Sequence, residues 1–481
     1  MRHWLAWGAA FLAMAVAMLA AAADDRPVRK ISGPIDNDAV WEGRVLVEQT
    51  VAVRAGVRLT IRPGAEILFV KGTGLEVSGI LSAVGTSDRP IRFGSAEPAP
   101  ARGDWKGLLL AGPGDNSVLH RAVVTDAETV QVHGGAPEIS ECTIRRMITG
   151  VFIGKDMSGN ISKNTITDMS THGIDCQIGS TPSIVGNTIR KCDKSGIIAQ
   201  RNSAPVISGN AIGECNSGIS FGSPAPAPEG NRIDNCTVGI ALNNVGNGMA
   251  VRGNHLFRNA TGLWIENFSS PKIEGNVFDN NGAGIFCFRS SSPDIVQNRL
   301  VGNQNGIACS QMSAPRIASN DFSRNETGVY LTLSSYARIN GNNFDKNDIQ
   351  VKLDNMSHDW EVRVGRKPGR GAFARSRTQA GQGKGMVAGT KATQEENDVP
   401  VGEGTIEATG NWWGEKDTAE MAAKGPAANI GSLVDGYDVP TRTYEGYPGE
   451  YLQDRINYKD WKTSRIPGTG VPDAQREDRA K

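Results

Sequence analysis

Asparagine every 22 residues, glycine in step with it, and apolar residues in short alternations predict an all-β repeat fold for this 481-residue chain. The fold class is a right-handed parallel β-helix, a solenoid with three short strands in each coil of about 22 residues. One asparagine column reads Asn254, Asn276, Asn298, Asn320 and Asn342, and a second, five residues on, reads Asn259, Asn281, Asn303, Asn325 and Asn347. Gly262, Gly284, Gly306 and Gly328 keep the same period, each followed by an apolar residue. Units this short cannot bury a core alone and must stack on equal neighbours. A helical repeat is excluded because glycine recurs in every unit and no 3.6-residue apolar stripe appears. Stacked asparagines can bond to one another and satisfy turn backbone groups. The parallel crossover preference sets the right hand.

The chain opens as a secretory signal. Arg2 and His3 precede an Ala/Leu/Met-rich stretch from Trp4, and Ala21-Ala22-Ala23 stand before Asp24 as a small-residue cleavage site. No cysteine follows that site, so lipid attachment is not indicated. Cleavage near Ala23 leaves an exported chain (periplasmic, cell-surface or secreted) with no spanning segment.

From Ile31 to Phe93, pairs such as Val45/Val47, Leu59/Ile61 and Ile67/Phe69 alternate between Ala55-Gly56 and Pro63-Gly64 breaks and predict short strands with one buried face. Gly103-Asp104-Trp105-Lys106-Gly107 opens a further strand, Leu108 to Leu110. The regular array is expected from His120, which with Cys142 starts the column continued by Asn164, Asn187, Asn210 and Asn231. Each unit has three inward sites: Ile273, Ile295, Ile317 and Ile339; Phe278, Leu300, Phe322 and Phe344; and pairs such as Ile285/Cys287. After Leu353 the period breaks. Arg363, Arg366, Lys367, Arg370, Arg375, Arg377, Lys384 and Lys391 fall in a Gly/Ser/Gln-rich run without an acid between Glu361 and Glu395, which reads as a flexible insertion. The repeat resumes at Gly404-Thr405-Ile406. Because an exposed end invites pairing, Trp412, Trp413 and the segment through Trp461 are expected to cap it. The expected division is 1–23 signal, 24–355 β-helix, 356–403 basic insertion, 404–463 last coil and cap, and 464–481 polar tail.

The Asn-x-Ile and Gly-Ile-x-Ile units, the opening Gly-Asp-Trp-Lys-Gly, "VRAGVRLTIRPGAEILF", "ATGNWWG" (Ala408 to Gly414), "VDGYDVP" (Val434 to Pro440) and "INYKDW" (Ile456 to Trp461) resemble the bacterial right-handed parallel β-helix repeat proteins. The resemblance runs from about Ile31 to Trp461 and implies the fold. It leaves function open, because lyases, hydrolases, epimerases, adhesins and accessory proteins share that fold. The NosD-like periplasmic copper-enzyme accessory proteins share the repeat. No His/Met-rich copper site is present, so their role is not carried over.

Lysine plus arginine equals aspartate plus glutamate at 51 each, which gives no argument for a nucleic-acid or membrane partner. In this fold chemistry sits on outward residues. The row between the paired apolar sites reads Phe152, Asp175, Ile198, Ser220, Ala241, Trp264, Phe286, Ala308, Tyr330, Lys352, with a single carboxylate. The next outward row includes Glu266, Phe288 and Asp354. Glycoside hydrolysis needs two carboxyl groups about 5 to 9.5 Å apart. Asp175 and Glu266 stand four coils apart, about 19 Å at the strand spacing. His172, in "THGIDC", reads as a turn residue. A lyase or epimerase acting on uronate glycans would use Tyr330 and Lys352, one coil apart, with Asp354 beside them.

Trp264, Phe286, Phe288 and Tyr330 form an outward aromatic strip. Such strips are covered by the chain's own basic run or C-terminal segment, or they stack sugar rings. The seven cysteines all fall on repeat positions. Buried thiols are expected, with a Cys192–Cys215 or Cys215–Cys236 bridge as the alternative. No Cys/His cluster has metal spacing, and no cofactor is expected. The leading function is an exported, non-catalytic β-helix that binds a polysaccharide or cell-surface polymer. The alternatives are the lyase or epimerase and a NosD-like accessory protein.

Overall fold

The computed structural model describes residues 27–112, 117–222, 227–365 and 404–471. The signal segment and nearly all of the basic run lie outside these residues. Three parallel sheets wind into a β-solenoid of about 14 turns. Sheet 1 has 15 strands, from Val28–Ile31 to Asn343–Asp345. Sheet 2 also has 15, from Val51–Val53 to Leu433–Val434. Sheet 3 has eight, Ala39–Trp41 to Val206–Ser208, then five, Ala250–Arg252 to Arg338–Asn340, joined through bridges at Glu229. The expected residues stack in register: Ile273 pairs with Ile295, Phe278 with Leu300, and Cys287 with Cys309. All six are fully buried. Each of the isoleucine, leucine and phenylalanine side chains among them contributes about 1.5–3 kcal/mol on leaving water.

The asparagine columns hold the corners. Asn276 donates both its backbone N–H (2.9 Å) and its Nδ2 (3.0 Å) to Asn298 Oδ1, and Nδ2 also reaches Val251 O at 2.9 Å on the preceding coil. The column runs from Asn164 to Asn342 and is completed by Asn411, which accepts from Asn342 N at 2.9 Å. The residue before each asparagine turns the chain. Gly275, Gln297, Ser319 and Gly341 have φ of 66°, 54°, 56° and 67°, left-handed values that cost a side chain little only where the corner demands them. The second column ends differently. Asn347 Nδ2 donates to Gln350 Oε1 at 2.7 Å, and Gln350 Nε2 to Asp417 Oδ2 at 2.8 Å. A third polar column, absent from the sequence reading, lines the corner between sheets 2 and 3. Ser269, Ser291, Ser313 and Ser335 are fully buried there, and Ser313 N–H donates to Ser335 Oγ at 3.3 Å.

The structure moves the start of the regular column. Val123 pairs with Thr143 and His120 with Ser140. Ala122, not His120, therefore precedes Cys142, because this coil is 20 residues long (Val123 to Thr143). The seven thiols are buried and free, so neither disulfide alternative is formed. Cys142 N–H donates to Asn164 Oδ1 at 2.9 Å and its Sγ to Leu119 O and Ser140 O at 3.2 Å each, so this cysteine takes a column slot and supplies weaker versions of its bonds to carbonyls.

At the C-terminal end, Trp413 is fully buried and stacks on Phe344 at 4.8 Å, which stacks on Phe322 at 4.6 Å. Thr405–Glu407 pairs with Arg455–Asn457, and helix α2, Gly414–Lys424, follows the tryptophans. The stretch expected to be a flexible insertion begins with helix α1, His358–Arg363, whose N-cap Ser357 Oγ accepts Trp360 N–H at 3.1 Å. Residues 465–470, expected to fall in the polar tail, pack against the solenoid. Arg465 pairs with Asp321 at 2.6 Å, Ile466 N–H donates to Asn343 Oδ1 at 2.9 Å, and Gly470 N–H to Ser319 O at 2.8 Å. These contacts lay residues 465–470 across sheet 1.

Candidate functional site

Alternation along each sheet 2 strand sends the residue between two core positions outward. Register fixes the row: Ala241 pairs with Trp264, Trp264 with Phe286, Phe286 with Ala308, Ala308 with Tyr330, and Tyr330 with Lys352. Trp264 and Phe286 meet edge to face at 4.8 Å between ring centroids. Phe288 lies 5.9 Å from Trp264 and 5.6 Å from Phe286. The Arg289 guanidinium stands 5.0 Å from the Phe288 ring. All three rings are half-buried, and at the adjoining corner Phe268 is 39% exposed. The result is a partly open aromatic face with a cation at its edge.

Tyr330 belongs to a different grouping. Ala308, only 5% exposed, separates it from Phe286 in the row. Its hydroxyl donates to Asp354 Oδ2 at 2.9 Å, and Asp354 pairs at 2.7 Å with Arg442 of the C-terminal hairpin, formed by Thr441–Tyr444 and Tyr447–Leu452. Arg442 also donates to Asn355 Oδ1 at 2.8 Å. Burial, and then the bond to Asp354, pushes the Tyr330 phenol up. A phenol that donates to a carboxylate and resists ionising is poorly placed to abstract a proton. Lys352 Nζ lies 5.8 Å from the Tyr330 ring. These residues clasp the hairpin to the last coil.

Asp175 is remote from both groups. Register carries it through Ile198, Ser220 and Ala241 to Trp264, four coils, or about 19 Å away. It accepts Gln177 Nε2 at 2.8 Å, while Glu266 accepts Asn243 Nδ2 at 2.9 Å. His172 Nδ1 accepts Ser195 N–H at 3.3 Å, and burial lowers its pKa. It is a corner residue. The C-terminal hairpin spends its own rings on α1, with Tyr444 stacked on Trp360 at 4.7 Å and Tyr447 edge-on to it at 5.4 Å. Cover of the strip by the basic run rests on residues outside those described.

Sheet 1 carries features the sequence reading missed. Arg190 spans two coils to Asp234 at 3.0 Å, passing over Gly213, where a Cβ would lie 2.4 Å from Arg190 Nη1. An open cleft of about 330 Å³ is lined by Arg299, Asp321, Arg324, Asp345, Lys346 and Arg465. Its charges are of both signs. A 22-residue period could have announced the serine column and the Arg190–Asp234 contact, whose residues hold one register position two coils apart, but not the return of Arg465 to Asp321.

A family model described as periplasmic copper-binding protein (NosD) matches residues 227–417, and one described as right handed beta helix region matches residues 128–247. Among solved structures, the periplasmic alginate epimerase AlgG is 14% identical over 64% of this chain and 73% of its own, with a TM-score of 0.29. A point mutant of that epimerase gives 14% identity over 64% and 74%, with a TM-score of 0.33. The alginate lyase from Paenibacillus sp. str. FPU-7 is 16% identical over 53% of this chain and 88% of its own, with a TM-score of 0.24. A search of curated proteins finds no match. No helix among the described residues is long and apolar enough to cross a membrane.

Copper takes thiolate, thioether and imidazole ligands, and bound thiols must deprotonate. Among the described residues no three His, Cys, Asp or Glu side chains converge on a point that could hold a metal ion. Burial pushes the Cys142 thiol up to about 12. The adjacent Cys192 thiol, together with burial, does the same to Cys215, also to about 12. The His, Cys, Asp and Glu side chains of the described residues offer no three-ligand copper site.

Proposed function

We propose that this right-handed parallel β-helix repeat protein is an exported, non-catalytic binding protein that holds a polysaccharide on the sheet 2 face of Trp264, Phe286 and Phe288. The observation that carries this reading is the mutual packing of three half-open rings on neighbouring coils. Coils repeat every ~4.8 Å, so a polymer lying along the solenoid axis meets one strand per coil. The flat faces of sugar rings suit such a surface, and Arg289 at its edge suits an acidic sugar. No second carboxylate stands within hydrolytic distance of Asp175 or Glu266 in the outward rows. Export is supported by the N-terminal sequence.

Titrating the full chain with soluble neutral and uronate glycans, read by tryptophan fluorescence, tests this. Saturable binding is expected, weakened about tenfold or more by Trp264→Ala, the scale of losing an aromatic anchor. Absence of binding across the panel, or affinity indifferent to Trp264→Ala, overturns it. The family match over residues 227–417 favours a second reading, a NosD-like periplasmic accessory protein. In that case the same face would hold a protein, and a cross-link from position 264 would capture a polypeptide that excess glycan does not displace.

A further inference from the structure

Where the last coil meets the cap, four buried polar atoms have no hydrogen-bond partner: Tyr336 Oη, His358 Nδ1, Glu361 Oε1 and Asp454 Oδ2. Tyr336 is 3% exposed, and Glu361 and Asp454 are 2% exposed each. The Tyr336 hydroxyl faces both carboxyl groups. The residues come from three parts of the chain: Tyr336 precedes the last sheet 3 strand, Glu361 lies on α1, and Asp454 follows the C-terminal hairpin.

The cations on the surrounding elements are engaged elsewhere. Arg363 pairs with Asp359 at 2.7 Å, Arg442 with Asp354, and Arg455 stands 4.2 Å from the Tyr437 ring. Asp435 accepts Ile456 N–H at 2.7 Å and Tyr437 N–H at 2.8 Å. His358 faces Glu361 and Asp454, and its backbone N–H donates to Asp454 Oδ1 at 2.7 Å. The Ser334 hydroxyl faces Glu361, and the Tyr444 hydroxyl accepts Gln453 Nε2 at 3.3 Å.

An ionised carboxylate in such a place keeps one oxygen without a partner and both out of solvent, which is costly. A carboxylic acid supplies its own donor. With Glu361 and Asp454 protonated, one acid can donate to the Tyr336 oxygen while Tyr336 donates to the other, so Tyr336 Oη, Glu361 Oε1 and Asp454 Oδ2 find partners. We propose that Tyr336, Glu361 and Asp454 form a proton-dependent latch, closed when the acids are protonated and released when they ionise. The latch fastens three segments. Asp454 N–H donates to Met356 O at 3.0 Å, Ser357 Oγ to Leu452 O at 2.5 Å, and Arg455 N–H to Gly404 O at 2.9 Å.

Burial raises both carboxyls above their ordinary range and raises the Tyr336 phenol as well. Raised acids contribute stability that is complete below the unfolded carboxyl range near pH ~4 and is lost as pH rises through the folded values. Hydrogen exchange on the full chain, from about pH 5 to 9 and corrected for intrinsic rates, reads this directly. Protection of residues 357–365 and 435–457 should fall about tenfold per pH unit for each proton released, while the coils from Ile285 to Leu331 hold theirs. Glu361→Gln and Asp454→Asn should flatten the response, and infrared spectra of the wild type should keep a protonated-carboxyl band above the ordinary carboxylate range. Cap protection that parallels the central coils at every pH, an unchanged response in both variants, or no such infrared band overturns the latch. If the variants fail to fold, the wild-type spectrum decides alone.

Discussion

A single asparagine in the first column serves two coils. Asn298 Oδ1 accepts two N–H groups of Asn276, while its Nδ2 donates to Asn320 Oδ1 (3.0 Å), Ile273 O (2.8 Å) and Val296 O (2.9 Å). Removing the amide strands buried donors and acceptors on both sides, each costing about 1–3 kcal/mol. Asn298→Ala should therefore lose about 3 kcal/mol or more in denaturant unfolding, and a loss below about 0.5 kcal/mol would refute the ladder account. The glycines entering sheet 2 are constrained by close approach instead. A Cβ on Gly284 would stand 2.6 Å from Gly306 O, which is backbone and cannot swing away. Gly284→Ala should cost about 1–3 kcal/mol, measured the same way, whereas Gly341→Ala, with open space around it, should cost only the strain of its φ of 67°. Both residue types were legible in the sequence by period. Why glycine is needed was not, because the opposing oxygen belongs to the next coil.

At the scale of elements, the cap carries the sharpest consequence. Trp413 continues a stack of rings that starts inside the solenoid at Phe322 and Phe344. Trp413→Ala should cost about 3–5 kcal/mol through the cavity it leaves. It should also uncover the edge of the last coil, so light scattering should report concentration-dependent association. A variant that stays monomeric with unchanged melting would remove Trp413 from the capping role. The tryptophans and the segment through Trp461 were legible as a cap because the repeat stops there. Helix α1 was masked by the basic composition that follows it, although Ser357 as N-cap with Asp359 and Glu361 in the first turn is an ordinary helix start.

At the scale of the whole molecule, each coil touches mainly its two neighbours, so stability is a sum of coil and interface contributions. Opening should begin at the ends, and hydrogen exchange should be slowest in central strands such as Asn305–Cys309. Uniform protection along the solenoid would contradict that. The candidate face lies within the most regular part, where three ladders hold the corners, so its rings sit on a rigid support. That support is what a binding surface for a stiff polymer requires.

The sequence by itself determined the coil, its inward residues, two of three polar columns and the outward row, because each is a local pattern repeated at a fixed period. It misplaced His120, where one coil is two residues short of the period. It also carried the column of Asn164 across the basic run to Asn411, 247 residues on, where Asn342 N–H donates to Asn411 Oδ1. Only the tertiary structure decided that Ser269, Ser291, Ser313 and Ser335 form a third buried column. It also decided that Arg465 returns to Asp321, that Tyr330 is tied up by Asp354 and Arg442 while Trp264, Phe286 and Phe288 stay together, and that Tyr336, Glu361 and Asp454 share one buried space. The physical reason is that a repeat specifies which residues stack on their own equivalents. Contacts between unlike positions depend on how the cap folds back onto the coils, and no period encodes that.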